Sequence, residues 1–352
     1  MMRTIAKRML AVLAGALIWG SSFLSAHAAP LDPADVAAGA KWFVHIDFDA
    51  ARASKVGERI HIEALKDEHV KKALAKLQDE IGMDPQRDLH GATLYGTTFT
   101  PHTGVLIVFA TADKDKLMAG LKAKPDFIAL KTVDGDHELY TWTEHMGHKP
   151  KDGKTAPEPK SKESCGHPRM GHDFMGGEHK HTVWAAFPKH GVGVFADSAT
   201  DLKAALDVLG GTGGATSSSP LFPAAPKGTV FSGAVAGLTA LRLPTRMPLA
   251  NKIDSISFAA GESDGEDFDH IKVTMTGADV TKQVKSIIDG FQALASLHLA
   301  DHPEALKMVS GLKAEADGKV LSIEWKASSD DVINFGEKAC EFIKQHHQDW
   351  HH

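Results

Sequence analysis

The chain has 352 residues, of which 43% are hydrophobic and 24% charged, with a formal net charge of −6 when histidine is neutral. That hydrophobic content supports packed cores and excludes general disorder. The acidic balance repels nucleic acid and anionic membrane surfaces and argues against both as partners.

The N-terminus reads as a secretory leader. Arg3, Lys7 and Arg8 form its basic region, Met9 to Leu24 its apolar run, and Ala26-His27-Ala28 a small-x-small cleavage site. Residues 1–28 are therefore expected to be a signal peptide. Gly20, Ser21 and Ser22 suit a leader better than a permanent span. No later stretch is apolar enough over sufficient length, so no membrane span is expected after signal removal. The expected location is periplasmic or secreted. In that compartment Cys165 and Cys340 either form the single bridge open to two cysteines or remain free thiols.

Beyond the leader, Trp42 to Phe48 alternates as a strand, with Trp42, Val44, Ile46 and Phe48 expected on the core face and His45 on the other. Val70, Leu74, Leu77 and Ile81 recur at helical spacing, and Gly82 ends that helix. Ala92 to Phe99 and Val105 to Ala110 follow as strands, the second an unbroken apolar run as expected for coverage on both faces. Asp113 is expected to cap a short helix through Leu121. Phe127 to Leu130 and Leu139 to Thr143 pair around Asp134-Gly135-Asp136, and Thr182 to Phe187 and Val192 to Ala196 form a hairpin. Ser198-x-x-Asp201 then opens a helix carrying Leu202, Leu206 and Leu209 on one face. Gly210 to Pro220 (GGTGGATSSSP) reads as a linker, since it has neither the lysine nor the preceding apolar strand of a phosphate loop.

After the linker the order of elements begins again. Thr229 to Val235 and Ile253 to Ala260 are strands, and Ile271, Val273 and Met275 alternate with polar residues in a half-exposed one. Asp279 caps a long helix whose Val280, Val284, Ile287, Ile288, Phe291 and Leu294 are expected to face inward. Leu312 to Ala316 and Val320 to Trp325 form a hairpin, and Ser328-x-x-Asp331 opens the last helix. The expected fold class is α+β: two related units of mainly antiparallel sheet with packed helices, arising by internal duplication. The first unit spans 29–209, a Gly/Ser/Pro linker 210–226, the second unit 227–346 and a His-rich tail 347–352.

Several short motifs carry a resemblance. They are the Trp42 to Phe48 strand followed by Asp49-Ala50-x-x-Ala53-Ser54, then Leu94-Tyr95-Gly96, Val194-Phe195-Ala196-Asp197-Ser198, and Leu206-Asp207-Val208-Leu209-Gly210-Gly211. In these the chain resembles a family of uncharacterised signal-peptide-bearing bacterial secreted proteins. The resemblance implies the fold and the compartment. It implies no activity, since that family has none assigned.

The chemistry of the sequence is concentrated in one stretch. An insert at 145–181 holds His145, Met146, His148, Cys165, His167, Met170, His172, Met175, His179 and His181. Imidazole and thioether are ligands for copper, and imidazole also for zinc or nickel. His179 and His181, two apart, lie on one side of an extended chain and can share an ion. Two readings stand. In one, these ten residues bind metal, with copper first and zinc or nickel behind. In the other, the insert is a surface addition without a ligand, since Lys149 to Lys162 has no apolar anchor. No nucleophile elbow, zinc helix, Cys-x-x-Cys or calcium loop occurs. The function expected is therefore a non-enzymatic extracytoplasmic binding or envelope-structural role with an unknown envelope or extracellular partner. The alternative is periplasmic metal binding through the insert.

Overall fold

A computed structural model describes residues 30–100, 103–111, 114–124, 126–130, 137–146, 179–214, 221–222, 225–241 and 249–347. Its strands are β1 (Trp42–Asp47), β2 (Leu89–Gly96), β3 (Val105–Ala110), β4 (Ile128–Leu130), β5 (Leu139–Met146), β6 (His179–Lys189), β7 (Val192–Ala196), β8 (Thr229–Ala236), β9 (Ile253–Ser263), β10 (Glu266–Met275), β11 (Leu312–Asp317) and β12 (Val320–Ser328). Its helices are α1 (Phe48–Ala53), α2 (Lys55–Ala64), α3 (Glu68–Ile81), α4 (Pro85–Asp88), α5 (Lys114–Lys122), α6 (Ala199–Leu209), α7 (Ala278–His298), α8 (Pro303–Ser310) and α9 (Ser329–His347). The fold is α+β, as expected.

Local chemistry sets the element ends. Asp47, Ser54, Asp67, Asp84 and Ser198 each accept a hydrogen bond from a backbone N–H in the first turn of the helix they precede. Gly82 closes α3 at φ 65°, a conformation that glycine adopts without a Cβ clash. Asp264 and Gly265, at φ 53° and 80°, turn β9 into β10. The Asp113 cap, the turn at Asp134 to Asp136 and the connection 242–248 lie outside the described residues.

All twelve strands belong to one sheet, in the order β11-β12-β10-β9-β8-β1-β2-β3-β7-β6-β5-β4. The halves join where β1 runs antiparallel to β8, from Trp42 opposite Val235 to Ile46 opposite Phe231. Outward from that junction the first half runs β1, β2, β3, β7, β6 and the second runs β8, β9, β10, β12, β11. The hairpin formed by β4 and β5 extends the first half alone.

Each face of the sheet is covered by different helices. On one face, α6 drops Leu202, Ala205 and Leu206 onto Phe43, Tyr95, Val105, Ile107, Val194 and Ala186. Leu221 joins this core, and Phe222 stacks on Phe43 at 4.5 Å, so the linker region ends in residues anchored in the first half. On the other face, α5 covers Tyr140, Trp142 and Ala185. There too α1 packs against Ile46, Ala92 and Val108, and α7 places Val280, Val284 and Ile288 over Val273, Leu321 and Ile323. Each large apolar side chain fully buried in this way contributes roughly 1.5–3 kcal/mol.

Two side-chain expectations are corrected. His45 is not on an open face: it is 2% exposed, beside Phe43 at 1% and Asp47 at 5%. β1 is a central strand, and the α6 face that His45 shares is the better covered one. Its Nδ1 lies 2.8 Å from Thr93 Oγ1, and Ser232 is its register partner on β8. The other correction concerns α7. Ile287, Phe291 and Leu294 do not face inward but are 55%, 68% and 61% exposed. The apolar arc of α7 is wider than the strip of sheet beneath it, so only one flank is used.

Candidate functional site

The α6 face changes character across the junction. In the first half it is apolar and capped. In the second half its register rows read Ser257, Lys272, Ser322, Glu315 and Ala259, His270, Glu324, Lys313. Lys272, Glu324, Lys326, Lys313 and Glu315 are exposed, while Ala259, next to the central strands, and Phe268, in register with Lys326, are buried. Alternation explains this: one face of β9 to β12 packs under α7 and α8, and the other meets water.

At the β9–β10 end of this open face lies a cavity of ≈ 260 Å³. Phe268, 6% exposed, forms an aromatic floor, with the His270 ring at 5.3 Å. Lys227 and Lys326 give the lining positive charge, and Asp264 and Glu266 give it negative charge. Such a lining suits a small polar or zwitterionic group held over an aromatic face. A second cavity of the same volume lies between His137 and Leu139 and the α6 residues Lys203, Leu206 and Asp207.

Sequence spacing gave no sign of one further cluster. Asp49 on α1 and His90 on β2 are 41 residues apart, yet His90 Nδ1 lies 3.0 Å from an Asp49 carboxylate oxygen. On its other side His90 Nε2 lies 2.5 Å from Thr111 Oγ1. Arg52 also pairs with Asp49, and it donates to the carbonyls of Gln86 and Leu89 at 3.0 Å each. Burial lowers the Arg52 pKa to about 10 despite the nearby Asp47 and Asp88. The order carboxylate, imidazole, hydroxyl is that of a proton relay. Here, though, Arg52 already neutralises the carboxylate, and neither described cavity is lined by Thr111. The cluster acts as a latch that ties α1 to β2 and to the end of β3. Only a contact between distant residues makes it, and no local pattern announces such a contact.

A carboxylate group in the second half contrasts with it. Asp267 faces Glu262 across the β9–β10 ladder. Burial raises its pKa to about 6, with Glu262 and Asp269 adding to the rise. Ser329 Oγ approaches the carboxylate and partly offsets the shift, but closes no well-formed hydrogen bond.

Of the ten predicted metal-site residues, the structure places four, by backbone register alone. The β5–β6 ladder runs to its end with Met146 opposite His179, His145 opposite Lys180 and Glu144 opposite His181. His148, Cys165, His167, Met170, His172 and Met175 lie outside the described residues. Among the described residues no group of three or more His, Cys, Asp or Glu side chains converges as a metal-ligand set.

No family model matches the chain, and no curated protein matches it. Among solved structures the chain is similar to three crystal forms of TP0453, a Treponema protein. Form III has 10% identity and a TM-score of 0.44, and the match covers 86% of this chain and 96% of that one. Form I has 8% identity and 0.43, covering 88% and 98%. Form IV has 11% identity and 0.43, covering 87% and 96%. Among the described residues no helix is long and apolar enough to cross a membrane.

Proposed function

We propose that this is an extracytoplasmic, non-enzymatic protein whose second half binds a polar ligand or envelope partner on the open face of β9 to β12. The observation that carries the reading is the contrast on the α6 face. That face is closed in the first half and left polar and solvent-facing in the second, with a cavity over Phe268 at its end. The leader pattern of residues 1–28 and the resemblance to signal-peptide-bearing secreted proteins support the compartment. The matching outward strand order of the two halves supports reading them as a duplicated unit in which one copy specialised for packing and the other for recognition.

Two measurements test this. Cell fractionation should recover the protein outside the cytoplasm with Ala29 as its first residue, and a cytoplasmic product would contradict the compartment. Photo-crosslinking groups placed at Lys272 or Glu324 should capture a ligand or partner that the same group at Lys72, exposed on α3, does not. Equal yields at all three positions would sink the binding face.

A second reading, metal binding through the insert, is favoured by the β5–β6 register. The ladder brings Met146 opposite His179 and Glu144 opposite His181 at the root of the insert. These residue types suit copper, or zinc and nickel through the imidazoles. Titration with Cu(I), Cu(II) and Zn(II) should show uptake that falls away when residues 145–181 are replaced by a short turn. Undiminished uptake by the deletion variant would remove this reading.

A further inference from the structure

Among the described residues, the outer stripe of α7 gathers four exposed large apolar side chains on one helix. Ile287, Phe291, Leu294 and Leu297 are 55%, 68%, 61% and 76% exposed. On the same face of the sheet, Phe231 and Ile271 are 37% and 36% exposed. Phe231 packs on Phe258 at 5.0 Å, and Phe258 is the register partner of Ile271. Ile271 in turn pairs with Ile323, which α7 covers. Apolar surface therefore runs along the sheet and passes under the helix. Soluble monomers rarely leave a patch of this kind uncovered.

We propose that this surface is a two-fold interface between two copies of the chain, built on an antiparallel pair of α7 helices. The pattern of α7 is self-complementary. An axis between Gly290 and Phe291 sets Phe291 of one copy opposite Gly290 of the other, and Ile287 opposite Leu294. Gly290 sits in mid-helix, where glycine costs about 1 kcal/mol relative to alanine. Nothing in the fold calls for it, since a Cβ there meets no atom within 4 Å. In the pair it leaves room for the facing phenylalanine. Gln283 and His298 face each other at the two ends and supply a polar rim.

Charge favours a protein over a lipid surface. A helix lying on a membrane carries Lys and Arg along its polar side. The charged residues of α7 are balanced, Asp279 and Asp289 against Lys282 and Lys285, and Lys285 is already paired with Asp289 at 2.6 Å. Size is adequate. The four α7 side chains leave roughly 400 Å² of apolar surface per chain, and with Phe231 and Ile271 a symmetric pair buries about 1,200 Å², where specific interfaces begin. A C2 interface needs one patch that matches itself, which the stripe provides.

Sedimentation velocity on the protein as its host processes it, at about 50 µM, tests the proposal. The wild type should sediment as a dimer. Phe291→Glu replaces an exposed side chain and leaves the monomer folded, and it should weaken association by about 100-fold. Gly290→Leu places its side chain in open space in the monomer. It should raise helix stability yet weaken association by at least about tenfold. A monomeric wild type would overturn the proposal, as would a dimer unaffected by both substitutions. A wild-type monomer that floats with phosphatidylcholine vesicles, and loses that ability as Phe291→Glu, would replace the second copy with a lipid surface.

Discussion

The two halves of the sheet share a strand order and use it differently. In the first half the α6 helix closes one face with a core that runs from Val36 and Phe43 to Leu202 and Leu206. In the second half the same face is a lattice of lysine, glutamate, serine and histidine, and the long helix on the opposite face leaves a whole apolar stripe in water. Connectivity therefore sets where strands lie, while side-chain choice decides whether a face becomes core or surface. The first half buries the larger core, and the second leaves more of its apolar and charged side chains at the surface.

The largest effect should come from testing that division directly. Leu202 is 0% exposed and central to the first core. Leu202→Ala should cost about 3 kcal/mol through lost burial and an unfilled cavity. Lys272→Ala, on the open face of the second half, should change stability by less than about 0.5 kcal/mol. Urea unfolding of the two variants side by side checks both numbers, and similar midpoints would break the comparison.

The latch of the first half comes next. His90→Ala leaves Thr111 without its imidazole partner and Asp49 with Arg52 alone. Removing one member of a largely buried charged network should cost about 2 kcal/mol. The loss should show as faster amide exchange in α1 and at the end of β3, with α7 and α9 unchanged. A uniform increase across both halves would show that the latch is not local to the first.

How much of this was legible in the sequence follows from the range of the interactions. Strands with clear alternation, such as Ile271, Val273 and Met275, were readable, and so were caps such as Ser198-x-x-Asp201, because each is decided within a few residues. The β1–β8 junction pairs Trp42 with Val235, and the latch pairs Asp49 with His90; neither leaves a local signature. The burial of His45 was hidden because both faces of a central strand pack, so hydrophobic alternation alone no longer shows which side is in. The outward flank of α7 is hidden from the sequence for a similar reason. Periodicity gives the width of an apolar arc, not how much of it the sheet beneath is able to cover.

The acidic groups sharpen the comparison through pH. In the first half, burial raises the Asp47 pKa, but the Ala50 N–H, Arg52 and His90 oppose the rise. In the second, Asp267 has Glu262 and Asp269 for neighbours, and its pKa rises to about 6 from an ordinary 3.8. Between those two values the folded chain holds a proton that the unfolded chain has lost, so stability falls as pH rises from about 4 to about 6 and stays lower above. Asp267 is only half-buried, and solvent screening reduces the effect to about 1 kcal/mol. Asp267→Asn should therefore be the more stable protein at pH 7, by about that amount, with the advantage over wild type vanishing below pH 4. Denaturant midpoints across this range measure it, and a constant difference at all pH values would rule out titration of Asp267 as the cause.

The smallest effect uses a device that both halves contain. Ser198 Oγ accepts from Asp201 N at 3.0 Å and bonds its carboxylate at 2.7 Å. Ser328 Oγ makes the same two contacts with Asp331, at 3.2 and 2.8 Å. Loss of such a cap costs about 1 kcal/mol when the helix is coupled to the whole fold. The coupling differs. α6 buries Leu202, Ala205, Leu206 and Val208, whereas α9 is exposed from Asn334 through Lys338 and holds Asp331 by a second contact, to Lys307 at 2.9 Å. Ser198→Ala should lower global stability by about 1 kcal/mol, and Ser328→Ala by about half of that, with the loss confined to fraying of the first turn of α9. Hydrogen exchange separates the two outcomes, since a global change speeds exchange in the β1–β3 core while a local one does not. Matching global losses from both substitutions would mean that α9 is as firmly built into the fold as α6, and the contrast between the two helices would fall.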